Sequence, residues 1–188
     1  MAAFLDVIGS FVLGGMILIM STKLNFVMSD NSQQSNMELA TQENCVVVSR
    51  MLEVDLSKIG YRSSSAAPIK IGDSTNIKFY ADIDDNGTVD SVSYFTGPMT
   101  AGYASINPRH KLLYRSWNNT TIAMNVGLTR FKITYYDSVG AQAAQLNEIR
   151  SMKVSMDVES VLPSVDTVYS IVHWEQYINP KFFRYTFN

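Results

Sequence analysis

The chain opens with an apolar run and continues into a long stretch without helix breakers. Residues 4–20 read FLDVIGSFVLGGMILIM, and Asp6 carries the only charge among them. The chain after this run has neither Gly nor Pro until Gly60. The pattern predicts one helix from residue 4 to residue 59, which Gly60 ends as a C-terminal cap. At about 1.5 Å per residue this helix would be roughly 80 Å long, so part of it must pack outside its own domain.

The second half of the predicted helix has an apolar face. Apolar residues recur there at steps of three and four, as on the buried side of an amphipathic helix: Cys45, Val48, Leu52, Leu56 and Ile59. Residues 29–36, SDNSQQSN, are polar and moderate helix formers, so we expect a loosened or solvent-facing stretch. The single cysteine, Cys45, excludes an internal disulfide, and we interpret it as a small buried hydrophobe.

The remainder of the chain changes to the period of β-strands. Residues 61–72, with SSSAAP, are predicted to form a loop. The turn DIDDNG separates residues 77–82 from residues 89–95, which predicts a hairpin. Apolar and polar residues alternate from Met152 to Glu159, which predicts a strand that covers the helix with one face. Further predicted strands are residues 110–117, 120–126, 128–136, 149–159, 167–174 and 182–187, and residues 141–147 form either a surface loop or one helical turn.

These patterns predict the fold class α+β, a lollipop with a long N-terminal stem helix and an antiparallel β-sheet globular domain. Residues 1–60 form the stem, hydrophobic over 1–24 and amphipathic over 25–60. Residues 61–188 form the β-rich globular domain. A chain of 188 residues is long enough for one ordinary domain in addition to such a stem.

Charge, composition and the absence of known motifs limit the classes of function that the sequence supports. The formal net charge is -2 and basic residues are scattered, so no stripe for nucleic acid is present. No Lys or Arg precedes Lys23, and no small-residue cleavage site follows the apolar run, unlike a secretory signal peptide. About 20 apolar residues just suffice to cross a bilayer core of roughly 30 Å. His110 and His173 are far apart, and neither a phosphate loop nor G-x-S-x-G occurs, so we expect no enzyme activity.

The turn of the predicted hairpin contains candidate metal ligands. The pattern D-x-D-x-N-G-x-x-D matches the first nine positions of a calcium loop, with oxygen ligands at alternate residues: Asp82, Asp84, Asn86, Thr88 and Asp90. The twelfth position is Ser93 instead of a bidentate Glu. The alternative is a plain hairpin in which Asn86-Gly87 supplies positive φ and the aspartates are solvated. Calcium is therefore a candidate cofactor.

Asp6 lies in an apolar environment where a carboxylate is costly. Insertion scales put the cost at about 2.5 to 3.5 kcal/mol in the centre of a bilayer. One interpretation is that Asp6 lies near the membrane interface and stays hydrated. The other is that it pairs with the N-terminal amine of a second copy when the stems bundle.

The order of these features resembles the type IV pilin and pseudopilin superfamily. Four segments are similar, in this order, to the body of the larger minor pilins: IKFYADIDDNGTVDSVSYF, LTRFKITYYDSVG, EIRSMKVSMDVES and WEQYINPKFFRYTF. The resemblance implies a structural subunit of a type IV pilus-like or pseudopilus filament for adhesion, motility, uptake or secretion. Such a subunit is stored in the inner membrane before it is assembled into an extracellular filament on the cell surface. Its partners would be itself or related pilins, the membrane and the assembly machinery.

Some details differ from the family pattern. The short basic leader of the family is not seen, and the usual fifth residue of the mature chain is glutamate. Removal of Met1 alone would place Asp6 at that position, whereas retention of Met1 would shift the register by one. The helix-breaking proline of family stems is also missing. The glycines of the stem either soften the helix or allow another helix to pack closely against it. The residues predicted to take part in assembly are Phe4, Asp6, Gly9, Phe11, Gly14 and Gly15.

Two further interpretations remain open. The first is a monomeric membrane-anchored cell-surface binding domain with a calcium-stabilised loop. The second concerns glycosylation, because Asn118 and Asn119 satisfy the pattern N-x-[ST], a pattern that is common by chance.

Overall fold

The computed structural model describes residues 2–65, 67–99, 105–163 and 168–182. The described chain contains one long helix followed by an antiparallel sheet, so the predicted α+β class is confirmed. The elements in chain order are α1 (Ala2–Ser57), β1 (Ile69–Gly72), β2 (Asn76–Ala81), β3 (Asp90–Pro98), β4 (Lys111–Trp117), β5 (Thr120–Tyr136), a 3-10 turn (Leu146–Glu148), β6 (Ser151–Glu159) and β7 (Ile171–Ile178).

The chain divides into two compact units, Met1–Leu39 and Ala40–Asn188. The first unit consists of the N-terminal part of α1. Nearly all of its described residues are exposed to solvent, including all of residues 29–36. The expectation of a solvent-facing stretch there is confirmed, but the expected loosening is wrong because these residues are helical. Once a helix is nucleated, each further residue adds a hydrogen bond, so a short polar segment of moderate propensity does not break it.

Helix α1 ends at Ser57, two residues before the predicted end. The chain then turns through Gly60, which has φ +82°. The main-chain N–H of Gly60 donates to the oxygen of Tyr80 at 3.0 Å, and that of Asp82 donates to the oxygen of Tyr61 at 3.0 Å. The turn is therefore fixed to the end of β2.

The part of α1 in the second unit buries one face. Val48, Leu52 and Leu56 are at most 1% exposed and belong to the same buried cluster as Met152 and Val154 of β6. This confirms the prediction that the alternating strand covers the helix. The remaining buried residues on this face of α1 are Thr41, Cys45, Ser49 and Asp55. Cys45 is 3% exposed, as expected of a small buried hydrophobe.

The sheet has seven strands among the described residues, and their order in space is their order in sequence, β1 to β7. The predicted hairpin is confirmed as β2 and β3, with Ala81 opposite Asp90. The two strands predicted over 120–126 and 128–136 are one strand, β5, with a bulge. Gly127 allows the bulge because its φ is +76° and an added Cβ would lie 2.4 Å from the oxygen of Glu159.

Two strands of the sheet begin at residues other than those predicted, and a third prediction lies mostly outside the described residues. Residues 69–72, predicted as loop, form β1, a short strand whose burial does not alternate. The last described strand begins at Ile171 instead of residue 167, which lies outside the described residues. The strand predicted over 182–187 also lies outside them, except for Phe182, which is in a short 3-10 turn. Residues 141–147 form a loop that leads into the 3-10 turn Leu146–Glu148.

The sheet curves so that its first hairpin reaches β5. The N–H of Ile133 donates to the oxygen of Ser74 at 2.7 Å, and the hydroxyl of Tyr135 donates to the oxygen of Asp73 at 3.0 Å. This curvature encloses the apolar cluster against the second part of α1.

Candidate functional site

The first candidate site is the apolar surface of α1 in the first unit. Apart from Gly15, every described residue from 6 to 20 is exposed. Phe11 is 84% exposed and Phe4 is 71% exposed. Because the run is continuous, its apolar side chains surround the helix instead of forming one stripe. A helix that is apolar on all sides is typical of a membrane span or of the interior of a bundle.

Length and composition agree with this description. Helix α1 is long and apolar enough over Asp6–Ser57 to cross a membrane, and its apolar window is not buried. A helix of this kind near an N-terminus is typical of membrane association or of a signal-like segment. The structure thus supports the coarse prediction of an apolar stem.

The polar groups and glycines of this segment are placed as follows. Asp6 is exposed, and its main-chain oxygen accepts a hydrogen bond from Ser10 Oγ at 2.7 Å. Apart from the adjoining helix backbone and the neighbouring residues in the chain, no atom of the described residues lies within 4 Å of the position of an added Cβ at Gly9, Gly14 or Gly15. These glycines therefore leave open surface on the helix, where a second helix can approach closely.

The second candidate site is the loop between β2 and β3, which brings three carboxylates together. Asp82, Asp84 and Asp90 each offer one oxygen, and these oxygens lie within 4.8 Å of one another. Asp82 is fully buried and Asp90 is 3% exposed, whereas Asp84 is exposed. The sequence motif thus identified residues that are close in space.

Main-chain N–H groups of the loop point at the first of these carboxylates. Asp82 accepts hydrogen bonds from the N–H of Asn86 at 3.1 Å and from that of Gly87 at 2.9 Å. Asp84 accepts from the same N–H of Asn86 at 3.2 Å and from the Asn86 side-chain amide at 2.9 Å. Gly87 adopts φ +88°, as the sequence predicts for the Asn-Gly turn. Thr88 donates its N–H to Asn86 Oδ1 at 2.7 Å, and its hydroxyl bonds to the same oxygen.

Two cations from the turn after α1 hold this loop. Arg62 Nη1 lies 2.9 Å from Asp82 Oδ2, and Lys58 Nζ lies 2.9 Å from Asp85 Oδ2. Lys58 also donates to the oxygen of Ile83 at 2.7 Å. The sequence did not indicate these partners, because they lie 20 and 27 residues upstream in a segment predicted only as helix end and loop.

The electrostatics of the loop favour ionised carboxylates. Burial acts to raise the pKa of Asp82, but hydrogen bonds from Arg62 and from the N–H of Gly87 outweigh it and hold the pKa below its ordinary value. Burial likewise acts to raise the pKa of Asp90, but hydrogen bonds, chiefly from Asn118, lower it overall. The hydrogen bond from Lys58 lowers the pKa of Asp85.

The donor set only partly fits a calcium ion. Calcium takes six to eight oxygen ligands, and the three clustered carboxylates are suitable donors. One oxygen of Asp82 is already bonded to Arg62, which places a positive charge where the ion would bind. The twelfth position of the motif, Ser93, lies within β3 opposite Lys78 and Ser116, away from the loop. The aspartate at the first position is buried and bonded, so the alternative of fully solvated aspartates does not describe it either.

The two asparagines of the glycosylation pattern differ in their surroundings. Asn118 begins the β4–β5 turn with φ +52°, and its side-chain amide donates to Asp90 Oδ1 at 2.8 Å. Its Oδ1 accepts the N–H of Ser91 at 2.9 Å. The Asn118 side chain is therefore part of the support of the acidic loop. Asn119 is exposed.

A buried polar cluster of Asp55, Tyr94 and Arg115 joins α1 to the sheet, and it was not predicted from the sequence. Asp55 Oδ2 accepts hydrogen bonds from the hydroxyl of Tyr94 at 2.6 Å and from Arg115 Nε at 2.8 Å. Asp55 is 4% exposed and Tyr94 is fully buried. The signal in the sequence was a carboxylate on an apolar helix face, between Leu52 and Leu56.

A cleft of about 560 Å³ lies between described residues of the β3–β4 connection and Thr129 of β5. Ser105 Oγ lies 2.7 Å from His110 Nδ1, and Arg109 pairs with Glu159 at 2.8 Å. His110 is 3% exposed, and its Nε2 lies beside the main chain of Glu159 without a well-aligned hydrogen bond in the described residues. Burial is the chief cause that lowers the pKa of His110 below its ordinary value, which favours the neutral ring.

Comparison with known proteins gives no assignment for these features. No protein-family model, curated protein or solved structure matches this chain.

Proposed function

We propose that this protein is a structural subunit of a type IV pilus-like or pseudopilus filament that assembles through its N-terminal helix. The observation that carries the proposal is the uncovered apolar surface of α1, which surrounds the helix over residues 7–20. A surface of this kind is stable only in lipid or among other apolar helices, because burial contributes about 25 cal/mol per Å² removed from water.

In the proposed function the helix occupies lipid first and a bundle of apolar helices afterwards. The helix first rests in the inner membrane, where the lipid shields it. It then packs against the helices of other copies or related subunits in an extracellular filament, and partner proteins supply the machinery. The second unit supports this division of roles because it has its own apolar cluster, in which no described member precedes Cys45.

Asp6 has a specific role in the proposed filament. Its carboxylate would pair with the N-terminal amine of a neighbouring copy, so that both charges are neutralised among apolar side chains. Gly9, Gly14 and Gly15 leave the helix surface open for the close approach this pairing needs. The family resemblance of the sequence adds to the same proposal.

The test is the filament yield of an Asp6→Ala variant. We expect normal expression and membrane insertion, with filaments abolished or strongly reduced on cells that carry the assembly machinery. Asp30→Ala is the matched control, because Asp30 is exposed on the same helix beyond the apolar run, and it should leave the yield unchanged. Negative-stain imaging with identification of the protein in the fibres gives the readout. Unchanged filament yield in Asp6→Ala would count against the pairing.

A second candidate is a monomeric membrane-anchored domain whose acidic loop binds calcium. The cluster of three carboxylate oxygens within 4.8 Å favours it. A membrane anchor needs only an apolar surface, so a monomeric protein would form no filament, whether or not Asp6 and the glycines are changed. Imaging of cells that carry the unmodified protein therefore separates the two candidates, because only the first predicts fibres that contain it.

A further inference from the structure

The charge-free part of α1 is short for a membrane span. Asp6 and Lys23 are successive charged residues, and only the 16 residues 7–22 lie between them. These residues are helical throughout. At about 1.5 Å per residue they cover roughly 24 Å, whereas the hydrocarbon core of an average bilayer is about 30 Å thick.

The two hydroxyl side chains in this segment do not shorten the span further. Ser10 Oγ donates to the oxygen of Asp6 at 2.7 Å, and Thr22 Oγ1 lies 3.0 Å from the oxygen of Leu18. Their hydrogen-bonding needs are met inside the helix, so lipid can surround them at little cost. The charges alone set the two limits of the apolar segment.

Lys23 interrupts a surface that continues to be apolar beyond it. Leu24 is 62% exposed and Phe26 is 72% exposed, so the span would be longer if the Lys23 ammonium reached the water beyond them. Side chains on a helix lean towards its N-terminus, however, which for Lys23 is towards the middle of the membrane. Reaching the nearer interface therefore requires the side chain to turn against its ordinary direction.

We propose that the N-terminal helix fits a bilayer with a hydrocarbon core of about 24 Å, bounded by Asp6 on one side and Lys23 on the other. The inference rests on the membrane-held state in the proposed function. In a bilayer of average thickness the helix is too short by about 6 Å, and this mismatch raises the free energy of the inserted state. Transfer of the helix from lipid to a bundle becomes easier by the same amount.

The test measures membrane partition as a function of bilayer thickness. Full-length protein is mixed from detergent into vesicles of dimyristoleoyl-, dioleoyl- or dierucoyl-phosphatidylcholine, in order of increasing thickness. The fraction that floats with the vesicles after an alkaline wash is then measured. We expect the highest fraction in the thinnest vesicles and a several-fold lower one in the thickest.

A Lys23→Leu variant reverses this preference if the inference is right. Its charge-free segment runs from residue 7 to residue 29, about 35 Å, so its highest fraction should move to the thicker vesicles. Lys132→Leu removes an equally exposed lysine from β5 and should behave as the unmodified protein does. Equal partition in all three lipids, no partition in any, or an unchanged preference in Lys23→Leu each overturns the inference.

The result of the vesicle experiment can be distinguished from the result of the filament experiment. Thickness preference is measured on protein in vesicles without assembly partners, whereas filament formation is imaged on cells. A protein that forms filaments but shows no thickness preference overturns only this inference.

Discussion

At the scale of single residues, the most informative position is Asp55. The spacing of Leu52, Leu56 and Ile59 predicted a buried face, and the carboxylate lies on that face. Its partners Tyr94 and Arg115 are 39 and 60 residues away in sequence, so spacing along the helix contains no information about them. Burial raises the pKa of Tyr94, and the negative charge of Asp55 raises it further. The Tyr94 hydroxyl therefore stays protonated and donates the hydrogen bond to Asp55.

Removal of this carboxylate should strongly destabilise the second unit. In an Asp55→Ala variant the Arg115 guanidinium, 15% exposed, loses its counter-charge, and we expect the free energy of unfolding to fall by about 3 to 5 kcal/mol. Glu53→Ala is the control because Glu53 is exposed on the same helix, and it should change the value by less than about 0.5 kcal/mol. Urea denaturation followed by circular dichroism measures both, and equal effects of the two substitutions would contradict the role of Asp55.

At the scale of elements, the acidic loop shows what a local motif can and cannot predict. The alternate oxygen-bearing residues correctly indicated that Asp82, Asp84 and Asp90 lie together, because the eight loop residues 82–89 connect two paired strands whose ends are close. The motif could not indicate that Lys58 and Arg62 bind the same loop. Those contacts depend on how α1 packs on the sheet, which is a tertiary property.

Calcium should compete with Arg62 if the loop binds the ion. We expect calcium to raise the thermal unfolding midpoint of the protein. The rise should be larger in Arg62→Ala, where Asp82 Oδ2 has lost its guanidinium partner and keeps only the hydrogen bond from the N–H of Gly87. In Asp84→Ala the rise should be reduced, because the exposed ligand is lost. Thermal scans with and without calcium give the readout.

Magnesium provides a control for the calcium scans, since it prefers a smaller octahedral site. An Asp84→Ala variant with the same calcium response as the unmodified protein would exclude the cluster as the binding site. No response in Arg62→Ala would exclude calcium from this loop altogether.

The sheet was predictable to the extent that its strands alternate. The β2–β3 hairpin and β6 follow the period of two, with inward residues such as Phe79 and Met156 fully buried. Strand β1 was missed because a segment of four residues, preceded by Pro68 and ending in Gly72, does not establish a period. The bulge at Gly127 was read as a break between strands, since sequence alone does not tell a bulge from a turn.

At the scale of the whole molecule, the division into two units predicts that the second folds without the first. No described member of the buried apolar cluster precedes Cys45, so deletion of residues 1–24 should leave a soluble protein that unfolds cooperatively. We expect its thermal midpoint to match that of the full chain in mild detergent within a few degrees. Differential scanning calorimetry provides the measurement.

A longer deletion is the control for this truncation. Loss of residues 1–52 also removes Cys45, Val48 and Leu52 from the cluster and should prevent cooperative unfolding. A 25–188 fragment that is unfolded or aggregated would contradict the independence of the second unit.

The strand order β1 to β7 bears on how the chain acquires its structure. Each strand pairs with the strand that follows it, so the sheet grows by adding neighbours in the order in which a ribosome makes them. The connecting segments have 2 to 14 residues, and the entropy lost on closing a loop grows only slowly with its length, so each pair closes at a modest cost. Such local connectivity is associated with rapid folding, and it lets an emerging chain complete one edge of the sheet before its C-terminal end has been synthesised.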